Sequence, residues 1–219
     1  TGKELVAKAI HEESPFSNEP FLAINCGALT DSLLQSELFG YIAGAFTGAQ
    51  KERKGIFEAA GNGTVFLDEF GEISTKLQIS LLRVLESNEI RPIGSTTTRQ
   101  IKCKIIIASN IDLYQAVNEK KFREDLYYRL TRYDIKLPPL RVRTQDIELL
   151  IKYFMDDKHI SKQLLDALIH YSWPGNIREL KNELERLKIL HSEKSILGLE
   201  DFDFSRLQGF VETNTNLSN

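Results

Sequence analysis

The sequence predicts an α/β domain with a mainly parallel sheet, followed by a small all-helical domain. Up to about residue 140, short apolar runs typical of buried strands alternate with segments whose apolar residues recur at helical spacing. After Pro139 only the helical spacing continues. We therefore expect an α/β core over residues 1–140, a helical domain over 141–202 and a disordered tail over 203–219.

The core is predicted to begin with a helix, a strand and a second helix. The first helix opens at residue 2, and because no strand precedes it, residue 1 is interpreted as a truncation point. Phe21–Asn25 is typical of a short buried strand, and Asp31 is placed to cap a helix over Ser32–Phe39. The glycine-rich stretch Gly44–Ala49 is either a mobile loop or a tight turn.

The rest of the core is predicted from apolar runs, turn residues and caps. The predicted features are, in chain order, a strand at Thr64–Glu69, a helix capped by Ser74, a hairpin-like insertion at Glu89–Gln100, a strand at Ile105–Ala108, a helix capped by Asp112 and a last strand at Tyr133–Leu137. The helical domain should contain three helices, with Thr144, Ser161 and Asn176 as their N-caps.

Composition excludes several classes of protein. The 219 residues carry a net charge of -3, which argues against a free-standing DNA-binding protein that relies on a basic surface. Cys26 and Cys103 lack metal-ligand spacing, so we expect buried reduced thiols and no zinc site. The apolar runs are too short to span a bilayer and no signal peptide opens the chain, so we expect a cytoplasmic protein.

Two adjacent acids, Asp68 and Glu69, end the apolar run that starts at Val65. Ligands of parallel sheets bind outside the carboxyl ends of the strands. There the first acid can hold Mg²⁺ and the second can orient or polarise an attacking water. The alternative is a helix cap that follows a strand.

The chain opens with residues that match the end of a phosphate-binding P-loop. In Gly-x-x-x-x-Gly-Lys-Ser/Thr, backbone amides cradle phosphates and the lysine reaches the β- and γ-phosphates, a role that fits Gly2 and Lys3. Glu4 stands where a hydroxyl residue usually reaches Mg²⁺.

Three further polar residues of the core could serve a nucleotide site. Asn110 follows the strand at Ile105–Ala108 and could sense a γ-phosphate or a water, or could simply form a turn. Arg123 and Arg129 are suited to a phosphoryl group in transition, or could form surface pairs with Glu124 or Asp125.

Arg178 lies in the first turn of the third helix of the helical domain, where a cation opposes the helix dipole. It could reach a bound phosphate. The alternative is a local pair with Glu179 or Glu183.

Taken together, these motifs resemble the central AAA+ domain of bacterial enhancer-binding proteins, the activators of sigma-54 RNA polymerase. The resemblance covers Thr1 to about Leu190, and Gly-Ala-Phe-Thr-Gly-Ala is the family's hallmark. The motifs that carry it are Gly44–Ala49, Phe66–Glu69, Phe122–Leu126, Leu137–Arg141 and Trp173–Leu180.

The resemblance implies an AAA+ P-loop NTPase core with a small all-α lid. It implies that Lys3 binds phosphate, that Asp68 and Glu69 are the Walker B acids for Mg²⁺ and water, and that Asn25 is a nucleotide switch paired with the glutamate. Asn110 would be sensor I, with Ser109 where threonine is usual.

The remaining implied roles concern neighbouring molecules and the lid. Arg123 and Arg129 match arginine fingers inserted into a neighbour's site, and Arg178 matches sensor II. The contact loop for sigma-54 would be Gly44, Ala45, Phe46, Thr47, Gly48 and Ala49, supported by a second loop at Arg91–Thr98.

The function implied is Mg-ATP hydrolysis in a homo-oligomeric ring, commonly a hexamer, that remodels the closed promoter complex of sigma-54 RNA polymerase. Promoter DNA would be touched only indirectly, because no DNA-binding domain is recognised in this sequence. Two alternatives stay open: a nucleotide-deficient fragment that acts only as a sigma-54 interaction module, and an AAA+ remodeller of other clients, against which the Gly44–Ala49 motif argues.

Overall fold

The computed structural model of the protein describes residues 2–155 and 158–205. Most of the expected tail, residues 206–219, therefore lies outside the described residues, as does Thr1. The chain divides into two compact units, Gly2–Ile135 and a second that begins at Lys136. Among the described residues, no helix is both long and apolar enough to cross a membrane.

The first unit is an alternating α/β structure, as the sequence predicts. Its helices and strands are, in chain order, α1 (Lys3–Glu12), β1 (Phe21–Asn25), α2 (Asp31–Phe39), β2 (Gly40–Tyr41), β3 (Arg53–Lys54), α3 (Ile56–Ala59), β4 (Thr64–Asp68), α4 (Thr75–Ser87), β5 (Glu89–Ile90), β6 (Arg99–Gln100), β7 (Lys104–Ile107), α5 (Leu113–Asn118) and α6 (Glu124–Leu130). A 3-10 helix, Phe70–Glu72, joins β4 to α4.

The main sheet has the order β1-β4-β7, and both of its strand pairs are parallel. Its middle strand, β4, is buried along Thr64–Leu67, which explains the continuous apolar run in the sequence. In the register, Asn25 lies opposite Asp68 and Leu67 lies opposite Ile107. The carboxyl ends of all three strands therefore meet at one edge of the sheet.

Helices cover the sheet through apolar contacts. Ala7 of α1 packs with Phe66 and Ala108 in a small buried cluster. A larger buried cluster joins α2, α4 and α6 to the sheet and includes Leu38, Leu81 and Leu126. Ser74 caps α4 by accepting the Leu77 amide, and Asp112 caps α5 by accepting two amides, which confirms both predicted caps.

The second unit is mainly helical. Its elements are a 3-10 helix at Leu140–Val142, α7 (Gln145–Met155), β8 (His159–Ile160), α8 (Lys162–His170), α9 (Asn176–Leu190), β9 (Ile196–Leu197) and a 3-10 helix at Leu199–Asp201. Ser161 caps α8 as predicted. Trp173 is fully buried among the leucines of α8 and α9, and its indole N–H donates to the Leu168 carbonyl.

Some sequence predictions were wrong in detail. The helix predicted from Ser32 begins at Asp31, and the cap position is taken by Thr30. The strand predicted at Ile105–Ala108 lies one residue earlier, at Lys104–Ile107. Asn176 is not the N-cap of α9: Gly175 holds that position, and Asn176 uses its side chain to accept the Leu140 amide at 2.9 Å.

The strand predicted at Tyr133–Leu137 is absent, since the structure assigns no strand to these residues. A strand requires a neighbour for its backbone hydrogen bonds, and none of the described strands pairs with this segment. Tyr133 and Ile135 are 89% and 62% exposed, so the apolar pattern that predicted the strand has no sheet face to cover.

Candidate functional site

Several of the predicted site residues meet at the carboxyl edge of the parallel sheet. Asp68 is the last residue of β4, and Asn25 is the last residue of the neighbouring strand β1. Asn110 follows β7 by three residues. This edge is where ligands of open parallel sheets bind.

The two acids are oriented by a sharp backbone turn. Asp68 Oδ1 accepts the Glu69 amide at 2.9 Å, and Glu69 adopts the left-handed conformation with φ 54°. Glu69 holds the N-cap position of the 3-10 helix, but its carboxylate makes no capping hydrogen bond. The helix-cap alternative therefore does not account for the Glu69 side chain.

Gly27 marks the point where the polar side chains converge. A Cβ added there would lie 2.6 Å from Glu69 Oε2, 2.7 Å from Glu72 Oε2 and 3.5 Å from Asn25 Oδ1. Asn25 Oδ1 accepts the amides of Gly27 and Ala28, at 2.9 and 3.0 Å. In this conformation the predicted switch residue thus holds the loop after β1 and makes no hydrogen bond to Glu69.

After β7, the sequence allowed Asn110 either to form a turn or to sense a phosphate or water. Ser109 forms the turn, since its hydroxyl donates to the Ile111 carbonyl and accepts the Ile111 amide. Asn110 is free of that task, and its Nδ2 donates to Glu72 Oε1 at 2.9 Å. Its amide therefore reaches the acidic cluster, so that the turn-forming alternative fits Ser109 and not Asn110.

Burial and the nearby acids change the pKa of the Cys26 thiol, which lies beside the cluster. Cys26 is buried, directly after Asn25, and its amide donates to the Asp68 carbonyl. Burial, followed by the charges of Asp68 and Glu69, raises the pKa of Cys26 to about 12. The thiol is thus neutral at physiological pH, as is Cys103, whose pKa burial raises to about 11.

Gly2 and Lys3, which match the end of the P-loop, and Glu4, which departs from it, lie at the start of α1. Gly2 adopts a left-handed conformation, with φ 87°, and Lys3 is the first helical residue. Glu4 forms a surface pair with Lys8 at 2.9 Å. Within the described residues, no hydrogen bond or ion pair joins these side chains to the acids.

Arg123 and Arg129 lie at opposite ends of α6, and both are held within their own chain. Arg123 holds the N-cap position, and its guanidinium binds Asp125 through two bonds, at 3.0 and 2.6 Å. Arg129 donates twice to the Leu85 carbonyl near the end of α4, at 3.1 and 2.7 Å. The pair between Arg123 and Asp125 is one of the surface pairs that the sequence left open.

Arg178 lies exposed in the first turn of α9, in the second unit. Its local-pair alternative is not realised, because Glu179 accepts the Gly175 amide at 2.8 Å and Glu183 pairs with Arg186 at 3.0 Å.

The Gly44–Ala49 loop is a closed turn on a two-stranded stem. β2 and β3 pair antiparallel below it, and the Gly44 amide donates to the Ala49 carbonyl at 2.8 Å. Thr47 is exposed at the tip, while the Phe46 ring is 46% exposed and contacts the Tyr41 ring edge-on.

The predicted hairpin at Glu89–Gln100 is confirmed by the β5–β6 pairing, and it supports that loop. The Ile42 amide donates to the Ile93 carbonyl, and the Ile93 amide donates to the Gly40 carbonyl. Arg99 adds a salt bridge to Glu52 at 2.7 Å and one to Glu58 at 2.9 Å.

Sequence reasoning missed Gly27, Glu72 and Gln78. Glu72 had a signal, because it is a third acid within five residues of Asp68. Gln78 had one too, since it is a polar residue next to the apolar stripe of α4. Gly27 had none, because its closeness to Glu69 and Glu72 arises only when β1 and β4 pair.

The family models that match the chain agree with its two units. Residues 1–136 match the Sigma-54 interaction domain, and residues 141–215 match the AAA+ ATPase lid domain.

Transcriptional regulators of other bacteria are similar in sequence to most of this chain. It is 48% identical over 199 residues to the transcriptional regulatory protein ZraR of Escherichia coli K12, covering 87% of this chain and 45% of that protein. It is 47% identical over 204 residues to the Nif-specific regulatory protein of Azotobacter vinelandii, covering 90% and 39%. The chain thus spans less than half the length of these relatives.

Solved structures share the fold. NtrX from Brucella abortus, in complex with ADP, superposes with a TM-score of 0.84 at 31% identity, covering 93% of this chain and 47% of that one. The complex of the same protein with ATP gives 0.83, over 92% and 48%. Hsp104 is 19% identical, with a TM-score of 0.63 over 90% and 40%, and shares the fold alone. The two family matches and the relatives show that the chain belongs to the sigma-54 interaction domain family of AAA+ proteins, whose named members here are sigma-54-dependent transcriptional regulators.

Proposed function

We propose that this chain is the ATP-hydrolysing module of a cytoplasmic sigma-54-dependent activator, which uses hydrolysis to remodel the closed promoter complex. The observation that carries the proposal is the Gly44–Ala49 loop, which presents Phe46 and Thr47 on a braced stem in a member of the sigma-54 interaction domain family.

The nucleotide would bind at the carboxyl edge of the sheet. Gly2 holds the N-cap position of the ten-residue helix that Lys3 and Glu4 begin; the N-terminal amides of this helix favour phosphate, and Lys3 adds a positive charge. Arg178 would reach the phosphates from the lid as sensor II. The two complexes of NtrX, with ADP and with ATP, support nucleotide binding by this fold.

A magnesium ion fits the donor set only together with a nucleotide. Among the described residues, no group of three or more His, Cys, Asp or Glu side chains could hold a metal alone. Mg²⁺ is commonly held by one or two carboxylates together with substrate phosphates and water, which suits Asp68. When bound, the ion neutralises charge that develops on the phosphates.

Glu69 would orient and polarise the attacking water. Its left-handed backbone directs the carboxylate to Gly27, beside Asn25. Asn25 would be the switch that exchanges its bonds to the Gly27 and Ala28 amides for a bond to Glu69. Asn110, held by Glu72, would report the presence of the γ-phosphate as sensor I.

Hydrolysis would take place between subunits of a ring, proposed to be a hexamer. Arg123 and Arg129 would leave Asp125 and the Leu85 carbonyl to reach the phosphates of a neighbouring subunit. The Gly44–Ala49 loop, supported by Arg91–Thr98, would then move against sigma-54, with promoter DNA affected only through the polymerase.

The proposal is tested on the chain with a complete P-loop ahead of Gly2. We expect Mg²⁺-dependent phosphate release from ATP, and co-elution with sigma-54 in ADP–aluminium fluoride but not in ADP or without nucleotide. No phosphate release, or the same retention of sigma-54 in every nucleotide state, would contradict it.

A further inference from the structure

Gln78 is a buried polar side chain that the proposed mechanism does not use. It is 1% exposed, on the buried face of α4 next to Leu77 and one turn before Leu81. A buried amide costs free energy unless its donors and acceptor are all bonded. The partners of Gln78 therefore explain why a glutamine can lie there.

The amide of Gln78 bonds to two separate segments of backbone. Its Nε2 donates to the Ile73 carbonyl and to the Lys121 carbonyl, both at 3.1 Å. Its Oε1 accepts the Arg123 amide at 2.8 Å. Both hydrogens of Nε2 and one lone pair of Oε1 are thus engaged by the protein itself.

One of these segments follows the two acids of the proposed nucleotide site, and the other carries the proposed arginine finger Arg123. Ile73 directly follows the 3-10 helix that begins after Asp68 and Glu69. Lys121 and Arg123 flank Phe122 at the start of α6, where Arg123 holds the N-cap position. One side chain therefore joins the backbone at Ile73, just after the 3-10 helix that follows Asp68 and Glu69, to the backbone that carries Arg123.

An aromatic contact runs beside this polar bridge. Phe70, fully buried in the 3-10 helix, meets Phe122 edge-on with ring centroids 6.1 Å apart. The Lys121 and Phe122 amides donate to the Ala116 carbonyl, and the Arg123 carbonyl accepts the Tyr127 amide. The Arg123 amide is bonded by Gln78, so the glutamine completes the hydrogen bonds that orient this backbone. The Arg123 side chain itself is anchored merely to Asp125, two residues away, and that surface pair must open for any contact in trans.

We propose that Gln78 is the positioning residue for Arg123: it fixes the backbone from which the guanidinium reaches the neighbouring subunit, and ties it to the same chain's backbone at Ile73, four residues after Glu69. This inference rests on the proposed function. It predicts that loss of the Gln78 bonds impairs the nucleotide site of the neighbouring subunit. The subunit that lacks these bonds keeps a working site of its own but supplies a misplaced Arg123 to its neighbour.

The geometry can be tested without ATP hydrolysis. Gln78→Met keeps the length and volume of the side chain but removes all three hydrogen bonds. We expect the Arg123 amide, protected from hydrogen exchange in the parent, to exchange at least about tenfold faster in Gln78→Met. An equal rate in both proteins would overturn the inference. Val84→Ala, which removes buried volume from the same helix without breaking a hydrogen bond, should leave that amide protected.

The function is tested in mixed rings of the chain with a complete P-loop. Gln78→Met alone should lose about 10²-fold in ATPase rate, as expected for a misplaced catalytic group. Mixed with Glu69→Gln subunits, which retain intact fingers, it should regain activity. Mixed with Arg123→Ala subunits, it should not. If Gln78→Met does not fold, the mixing is repeated with Gln78→Asn, whose neutral amide is one methylene too short to keep all three bonds, and the same pattern of recovery is expected.

The outcomes separate this inference from the proposed function. If the parent hydrolyses no ATP, or Arg123→Ala and Glu69→Gln subunits co-assemble without regaining activity, the trans mechanism fails and the inference falls with it. If those controls behave as expected, full activity of unmixed Gln78→Met rings, or no recovery with Glu69→Gln despite co-assembly, would overturn the role of Gln78 alone.

Discussion

Glu69 is the single side chain on which the proposed hydrolysis depends most. We expect Glu69→Gln to keep ATP binding and to lower turnover by about 10²–10⁴-fold, since the carboxamide keeps the shape but loses the charge that polarises water. Phosphate release and nucleotide binding, measured on the same preparation, check this. Glu86→Gln, at an exposed position on α4, is the control. Near-parental phosphate release by Glu69→Gln would remove Glu69 from the mechanism.

Gly27 tests whether the convergence of the side chains matters. In Gly27→Ala the new methyl group would meet the flexible ends of Glu69 and Glu72, so we expect stability to change by no more than about 0.5 kcal/mol while ATPase activity falls. In Gly63→Ala it would meet the Pro20 carbonyl of the backbone, and we expect a loss of about 1–3 kcal/mol. Thermal unfolding and phosphate release together distinguish the two. An unchanged rate in Gly27→Ala would show that the carboxylates can move without consequence.

The residues of the site were predictable from sequence to different degrees. Asp68 and Glu69 stand out because they end an apolar run, a local pattern. Glu72, Gly27 and Gln78 acquire their contacts only when distant segments meet, and no spacing along the chain records those contacts.

Among the elements, the loop and its supporting hairpin act as one assembly. Arg99 of β6 reaches Glu52 and Glu58 beside the loop stem, whereas Arg53 of β3 pairs with Glu37 of α2. We expect Arg99→Ala to reduce sigma-54 retention in ADP–aluminium fluoride severalfold with little effect on ATPase rate. Arg53→Ala, at the same stem but without a bond to the hairpin, should reduce it less. Equal effects of the two changes would contradict this coupling.

Most elements of the core could be predicted because caps and apolar spacing are local signals, as at Ser74 and Asp112. The exceptions depend on tertiary partners. Tyr133–Leu137 has the composition of a strand, but none of the strands in the described part of the chain pairs with it. Asn176 is the first residue of α9, and its side chain accepts the Leu140 amide instead of capping the helix.

For the whole molecule, the proposed mechanism requires that a second subunit complete each nucleotide site. We expect Arg129→Ala subunits and Lys3→Ala subunits, each inactive alone, to recover part of the ATPase activity when mixed. Mixed rings pair an intact site with an intact finger, a contribution of about 10³–10⁵ in rate in related systems. If mixing restores nothing despite demonstrated co-assembly, the fingers do not act in trans.

The proposed coupling of hydrolysis to sigma-54 through the Gly44–Ala49 loop is tested with Thr47→Ala. Thr47 is exposed and takes no part in the acidic site, so the variant should hydrolyse ATP at nearly the parental rate. It should fail to retain sigma-54 in ADP–aluminium fluoride and fail to open promoters, whereas Gln50→Ala, just outside the loop, should behave as the parent. Normal promoter opening by Thr47→Ala, or loss of ATPase activity together with folding, would contradict this coupling.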